Sequence, residues 1–418
     1  MDLGLPLAEE FQNHLILLAY YYLPDNTSGV QRAVRLAKYL PRNGFRCHVI
    51  SSSHPAELTC IAGVAHVPNE QIGRSSAVWL GRVATFVQRF LPYNEQLPWV
   101  PHAIRAARNL MARTPVSAVL STSPPLASHL AALWLKKRYG LKWVADFRDP
   151  LYGNPGRARR WARPYDKAIE RQIFRNADAI ISVTDTVAAG WRKKYPQWAH
   201  KIHVIWNGFD PEYPFGPAIL PIREYKVISH VGVLYGLRHP TSLLASLDRL
   251  LRRGALNKGM LRIRFVGPVQ QETEFLQNPA VASLMRAGCL EIQGRLIPRQ
   301  QAMDEIATSD FLLLLDIANL SNIGYTVPAK LYDYILAGRP ILALTLENSP
   351  VNRILAKSGP RYTCVYQTDS AEEIDRKLEI FFQLPTDPVA PSAWFVQQFD
   401  GMRQVATVAD LINDLLGR

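Results

Sequence analysis

Lys330 lies in the first turn of a helix expected over Ala329–Ala337, which follows the strand Phe311–Leu315 and a polar loop. A helix start carries partial positive charge and unpaired N–H donors. A lysine there opposes the helix unless an anion sits beside it, and the alternative is a solvated side chain. Oriented donors and a cation at one point suit a group that gains negative charge as a bond breaks, such as a departing diphosphate. Gly232 ends a strand expected at Val227–Val231, and Arg238 follows six residues later. Its planar fork matches phosphate oxygens, or it forms an ordinary ion pair. Ser28 and Gly29 come after the strand Leu15–Tyr20, where small residues let the backbone approach a phosphate or simply make a turn. Asp146, Arg148 and Asp149 follow the strand Trp143–Ala145. They could bind substrate hydroxyls or pair with one another.

These residues sit at the ends of alternating strands and helices, the pattern of a parallel α/β sheet. In the first half, further strands are expected at Arg46–Ser51, Ser117–Leu120, Ala179–Val183 and His203–Ile205, with helices near Leu126–Tyr139, Tyr165–Asn176 and Thr186–Tyr195. The second half repeats the pattern with strands at Arg262–Val266, Glu291–Gln293 and Ile341–Leu344, and helices at Thr241–Arg253, Arg299–Thr308 and Pro350–Lys357. Ser349 before Pro350, and Ser370 three before Glu373, are helix-start signals. Residues 210–222 hold four prolines and read as the linker between two Rossmann-like domains. Residues 1–210 would be one domain and 211–390 the other, with a final helix at about 391–418 returning to the first. The two would face each other across a cleft, since open α/β sheets bind ligands beyond the carboxyl ends of their strands. Residues 78–91 and 102–111 read as amphipathic basic helices that either lie on an anionic membrane or pack on the domain.

Composition narrows the class. The 418 residues are 48% hydrophobic and 20% charged, with no run long enough to span a bilayer. The start lacks a signal-peptide pattern, so a cytoplasmic location is expected. Cys47, Cys60, Cys289 and Cys364 are scattered without metal-binding or disulfide spacing. The formal charge of +13 belongs wholly to the first half: residues 1–210 carry 27 Lys+Arg against 14 Asp+Glu, and residues 211–418 carry 21 of each. This bias points to an anionic partner for the first domain, a membrane surface, a nucleic acid or a phosphorylated acceptor, or to a solvated basic surface. Known nucleic-acid motifs are missing.

The chain resembles the retaining glycosyltransferases of family 4, which have the two-domain GT-B fold. The segments that carry the resemblance are 21–32, Ser-Pro-Pro-Leu-Ala-Ser-His (123–129), Asp-Phe-Arg-Asp-Pro (146–150), Asn-Gly-Phe-Asp (207–210), Val-Gly-Val-Leu-Tyr (231–235), Val-Pro-Ala-Lys-Leu-Tyr-Asp-Tyr (327–334) and Ala-Gly-Arg-Pro (337–340). The resemblance implies that Arg238 and Lys330 hold the diphosphate and that Gly232 lets it approach. It implies that Asp333 binds the ribose hydroxyls, that Gly294 and Arg295 read the base, and that Tyr325 faces the donor sugar. It also gives His129 a catalytic or sugar-contacting role, although a buried packing histidine fits the sequence equally. Three positions depart from the family: Val233 replaces a common arginine, Tyr325 a glutamate, and Asp333 is one methylene shorter than the usual glutamate.

The resulting expectation is transfer of a sugar from a nucleoside diphosphate sugar to an acceptor hydroxyl, with retention and without a metal or further cofactor. The destination would be a bacterial surface polysaccharide or glycolipid, built on a lipid-linked or sugar acceptor. Two alternatives share the fold: a nucleotide-sugar 2-epimerase, and an inactive GT-B protein that docks on membranes.

Overall fold

Seven apolar segments of the first half pair side by side in one all-parallel sheet. They are β1 (Asn13–Leu18), β2 (Phe45–Ile50), β3 (Val64–His66), β4 (Val116–Ser123), β5 (Lys142–Phe147), β6 (Ala179–Ser182) and β7 (Ile202–Val204), in the order β3-β2-β1-β4-β5-β6-β7. Six more form a second parallel sheet: β8 (Lys226–Val231), β9 (Leu261–Val266), β10 (Leu290–Gln293), β11 (Phe311–Leu315), β12 (Ile341–Thr345) and β13 (Tyr362–Tyr366), in the order β10-β9-β8-β11-β12-β13. Both orders reverse direction beside the first strand of the sheet, the doubly wound topology of Rossmann-like domains. The computed structural model describes residues 13–25, 29–52, 64–66, 96–154, 160–213, 220–234, 240–316 and 327–418. Ser28, Arg238, Tyr325 and the helix expected at 78–91 lie outside the described residues, as do residues 214–219 of the linker.

The strands are continuous apolar runs because helices cover both faces of a parallel sheet. β11 reads Phe-Leu-Leu-Leu-Leu, and every one of these side chains is buried. Register keeps the strand ends level: Leu312–Leu315 face Ile341–Leu344, and Lys226–Val231 face Leu261–Val266. The carboxyl ends of β8, β9 and β11 therefore open on one side of the second sheet. Two helix-start signals act as expected, with Ser349 and Ser370 accepting from the N–H groups of Asn352 and Glu373 at 3.1 and 3.2 Å. Replacing Ser349 by alanine should cost about 1 kcal/mol, readable as a lower urea midpoint.

The chain divides into two units, Met1–Asn207 with Gly401–Arg418, and Gly208–Asp400. The segment read as one final helix is two, Ala393–Phe399 and Gly401–Leu416. Between them Asp400 is extended, and the Phe209 N–H donates to the Phe399 carbonyl at 3.0 Å, so the first helix stays with the second unit. The second helix returns to the first unit and buries Val405, Val408 and Ile412 in its core. Among the described residues, no helix is long and apolar enough to cross a membrane.

Candidate functional site

His230, one residue before the end of β8, is fully buried. Its Nδ1 lies 2.9 Å from the Leu313 carbonyl oxygen on β11. A carbonyl only accepts, so Nδ1 carries the hydrogen and Nε2 offers a lone pair. The Lys330 ammonium donates to that lone pair at 3.0 Å. A neutral histidine thus holds a cation at the carboxyl end of β8.

The backbone beneath the ammonium has no room for a side chain. A Cβ on Gly232 would come within 2.8 Å of Lys330 Nζ, and Gly232 has φ +124°, a conformation L residues rarely adopt. Gly267, with φ +144°, ends β9 in the same way, and a Cβ there would meet the Gly232 carbonyl at 2.7 Å. Two strand ends therefore press together with the lysine laid on one of them. Gly232→Ala should cost about 1–3 kcal/mol in backbone strain and push Lys330 aside. The expected result is a lower melting temperature together with weaker nucleotide binding by titration calorimetry.

Lys330 opens the Lys330–Ala337 helix, whose N-cap is Ala329 with no side-chain cap. The helix start offers less than expected for an anion. The N–H groups of Leu331 and Tyr332 already donate to the carbonyls of Pro328 and Ala329, at 2.9 and 3.3 Å. The lysine side chain, more than the helix end, is what could meet a phosphate.

Asp333, one turn on, is buried and gripped by Arg299. Arg299 Nη1 and Nη2 donate to the two carboxylate oxygens at 2.8 and 2.7 Å, and the guanidinium lies 5.7 Å from the Tyr213 ring centre. Burial opposes the charge on Arg299, but the Asp333 charge and hydrogen bonds outweigh it and raise its pKa above the ordinary arginine value. Tyr334, on the same helix, accepts the Val231 N–H at 3.0 Å and ties the helix to β8. Gly294 and Arg295 are exposed just after β10, and Leu296 beside them is 62% exposed.

In the first unit the structure corrects the expectation for Asp146 and Arg148. Asp146 is hydrogen-bonded to Arg32 and not to Arg148. It is 0% exposed, and Arg32 grips it through Nη2 to Oδ1 (2.7 Å) and Nε to Oδ2 (2.8 Å), while Thr122 donates to Oδ2 at 2.7 Å. Burial alone would raise its pKa, yet the Arg32 charge and these hydrogen bonds hold it below the ordinary carboxylate value. Arg148 donates to backbone carbonyls instead: Ser123 at 3.1 Å, Gly29 at 2.5 Å and Pro124. Its guanidinium fills the space above Gly29, where a Cβ would collide with it. Gly29 is therefore small to admit Arg148, the closest group the structure brings to it. Asp149 stands half-buried on the same turn.

His129 is a core residue. It is 0% exposed and packs on Phe147 at a ring distance of 4.3 Å. Trp143 Nε1 donates to Ser121 Oγ at 2.8 Å, and the Ser121 hydroxyl in turn reaches His129 Nδ1 at 2.8 Å. Burial pushes its pKa down to about 3, so it is a neutral group packed in the core. An unfolded histidine protonates near 6.5, so this group stabilises the fold fully above that pH and the contribution is lost as pH falls towards 3. The unfolding free energy should decline in that window by up to about 1.4 kcal/mol per pH unit for this group. His129→Gln should flatten the decline in denaturant titrations at several pH values.

Three residues that shape these sites escape a sequence reading: His230, Arg299 and Arg32. His230 leaves a signal, a histidine next to the end of a strand, between Ser229 and Val231, and Arg32 closes the motif Ser-Gly-Val-Gln-Arg (28–32). Arg299 leaves none.

Residues 28–213 match the model described as Glycosyltransferase Family 4. No curated protein matches the chain by sequence. Solved structures match over nearly its whole length. HepE of Anabaena, crystallised with UDP and glucose, is 14% identical with a TM-score of 0.63, covering 96% of this chain and 100% of its own. The sucrose-phosphate synthase of Thermosynechococcus elongatus is 12% identical with a TM-score of 0.63, covering 97% and 98%. WaaG, a glycosyltransferase involved in lipopolysaccharide biosynthesis, is 16% identical with a TM-score of 0.57, covering 96% and 98%. The chain has the GT-B fold, and its residues 28–213 match glycosyltransferase family 4.

Proposed function

We propose that the chain transfers a sugar from a nucleoside diphosphate sugar to an acceptor hydroxyl, with retention of anomeric configuration. The observation that carries this is the Lys330 ammonium, fixed by His230 over the Gly232 backbone at the carboxyl end of β8. As the bond from the sugar C1 to the diphosphate breaks, negative charge grows on the phosphate oxygen, and a cation already in place stabilises it without reorganisation. The acceptor oxygen bonds to C1, and its proton passes to the leaving phosphate. Arg238, on the loop after Gly232, would be the second cation. These cations would take the role a divalent ion could fill, and unchanged turnover in EDTA is the expected result. Asp333 keeps lone pairs beyond those given to Arg299, and they could accept both ribose hydroxyls. Gly294 and Arg295 would read the base, with exposed Leu296 as an apolar edge beneath it. Tyr325, Ser28 and Asp149 would face the sugar, the phosphates and the acceptor.

UDP bound to HepE supports a nucleotide-sugar donor, and the part of WaaG in lipopolysaccharide biosynthesis supports a role in surface polysaccharide or glycolipid synthesis, where the acceptor would be lipid-linked. The basic first half would then work at the inner face of a membrane. The test is a panel of UDP- and GDP-sugars with sugar and lipid-linked acceptors. Acceptor-dependent release of nucleoside diphosphate supports transfer. An epimer formed from donor alone supports the epimerase alternative, and no turnover with any donor overturns both.

A further inference from the structure

Asp333 lies on the Lys330–Ala337 helix, one turn after the lysine proposed to hold the diphosphate. It is 8% exposed, and one side chain from another helix meets both of its oxygens: Arg299, through Nη1 at 2.8 Å and Nη2 at 2.7 Å. The fork is itself held. The Tyr213 ring centre lies 5.7 Å from the guanidinium, and the Tyr213 hydroxyl donates to Gln300 Oε1 at 2.7 Å. Arg299 opens the Arg299–Ala307 helix, directly after the segment 294–298 that carries Gly294 and Arg295. It therefore joins the loop proposed to read the base to the acid proposed to bind the ribose.

The fork is not what seats the Lys330–Ala337 helix. That helix buries Leu331, Tyr332 and Ile335, and Tyr334 ties it to β8 by accepting the Val231 N–H at 3.0 Å. What the fork settles is the direction of the carboxylate. A bidentate pair fixes the carboxylate plane. Of the roughly four lone-pair sites on the two oxygens the fork takes one on each, so those that remain point in set directions.

We propose that Arg299 is a positioning residue for nucleotide selectivity, aiming the remaining lone pairs of Asp333 at the ribose of the donor. The proposal rests on the nucleotide-sugar reading above and deepens it: the site would tell a ribonucleotide from a 2′-deoxyribonucleotide. Arg299 touches no part of the donor in this account and acts through Asp333 alone.

The test is titration calorimetry of the full chain with UDP, GDP and the 2′-deoxy form of each. The two members of a pair share base and diphosphate, so their affinity ratio cancels general damage to the site and isolates the ribose. Wild type should prefer the ribonucleotide by about ten- to a hundredfold, the effect of one hydrogen bond to a charged group. Arg299→Gln should bring the ratio within about threefold. Arg299→Lys keeps a cation beside Asp333 without the fork. It should lose the preference as well while melting close to wild type, which preserves the test if Arg299→Gln does not fold. If wild type binds none of the four nucleotides, the nucleotide-sugar reading and this proposal both fall. If wild type binds both members of a pair equally, or a folded Arg299 variant keeps the wild-type ratio, nucleotide binding stands and this proposal falls.

Discussion

Lys330→Ala is expected to lower turnover of the nucleotide sugar by about a hundred- to a thousandfold, the usual effect of removing one preorganised donor from a developing anion. The ammonium is held before any ligand arrives. His230 Nδ1 is committed to the Leu313 carbonyl, so Nε2 can only accept, and the lysine can only donate to it. The Gly232 backbone lies directly below. Lys330→Met should give nearly the same loss, since it keeps the apolar stem and removes the charge, which separates electrostatics from packing. The loss should fall on kcat as well as on nucleotide affinity, because charge on the diphosphate is larger in the transition state than in the bound donor. Steady-state kinetics with the donor found in the panel check both.

The second large effect is on stability. Arg32→Ala should destabilise the first unit by about 3–5 kcal/mol, because it leaves a buried carboxylate with no cation. Arg32 meets both oxygens of Asp146 and also donates to the Ile205 and Trp206 carbonyls at 3.1 and 2.9 Å. One side chain thus binds the Val30–Tyr39 helix to the end of β5 and to the segment after β7. Asp146 has a depressed pKa, so the stability it adds is full above its ordinary value of 3.8 and is lost as pH falls through its lowered folded value. In Arg32→Ala, burial without a cation favours the protonated acid. The gap between variant and wild type should therefore narrow below about pH 4. Adding Asp146→Asn to Arg32→Ala should recover part of the loss at neutral pH, since no buried charge then remains. Urea unfolding followed at several pH values measures all three.

Strands were legible in the sequence wherever they are apolar on both faces. β11 is five apolar residues between a polar turn and a polar loop, and nothing else fits such a run in an α/β chain. β13 was not read as a strand, because Tyr-Thr-Cys-Val-Tyr mixes polar and apolar residues at a sheet edge where one side meets water. The short helices Glu272–Gln277 and Pro279–Arg286 went unread as well, although Asn278 before Pro279 caps the second one. Lys330 was legible because a cation at a helix start conflicts with local electrostatics. Its partner His230 was not, since the two lie 100 residues apart. Asp146 and Arg148 looked like a local cluster, but Arg32, the actual partner of Asp146, is 114 residues away. No spacing rule reaches that far. The seat of His129 was hidden for a different reason: Ser121 and Trp143 are near it in sequence, but they meet it only because β4 and β5 pair side by side.

The central claim is that the second unit holds the diphosphate of a nucleotide sugar on Lys330. Titration calorimetry of the full chain with UDP and with GDP tests it without knowledge of the acceptor. The account predicts saturable binding of one of the two by wild type, and binding at least about tenfold weaker in Lys330→Met. Heat from neither nucleotide at millimolar concentration, or equal affinity in wild type and Lys330→Met, would contradict it.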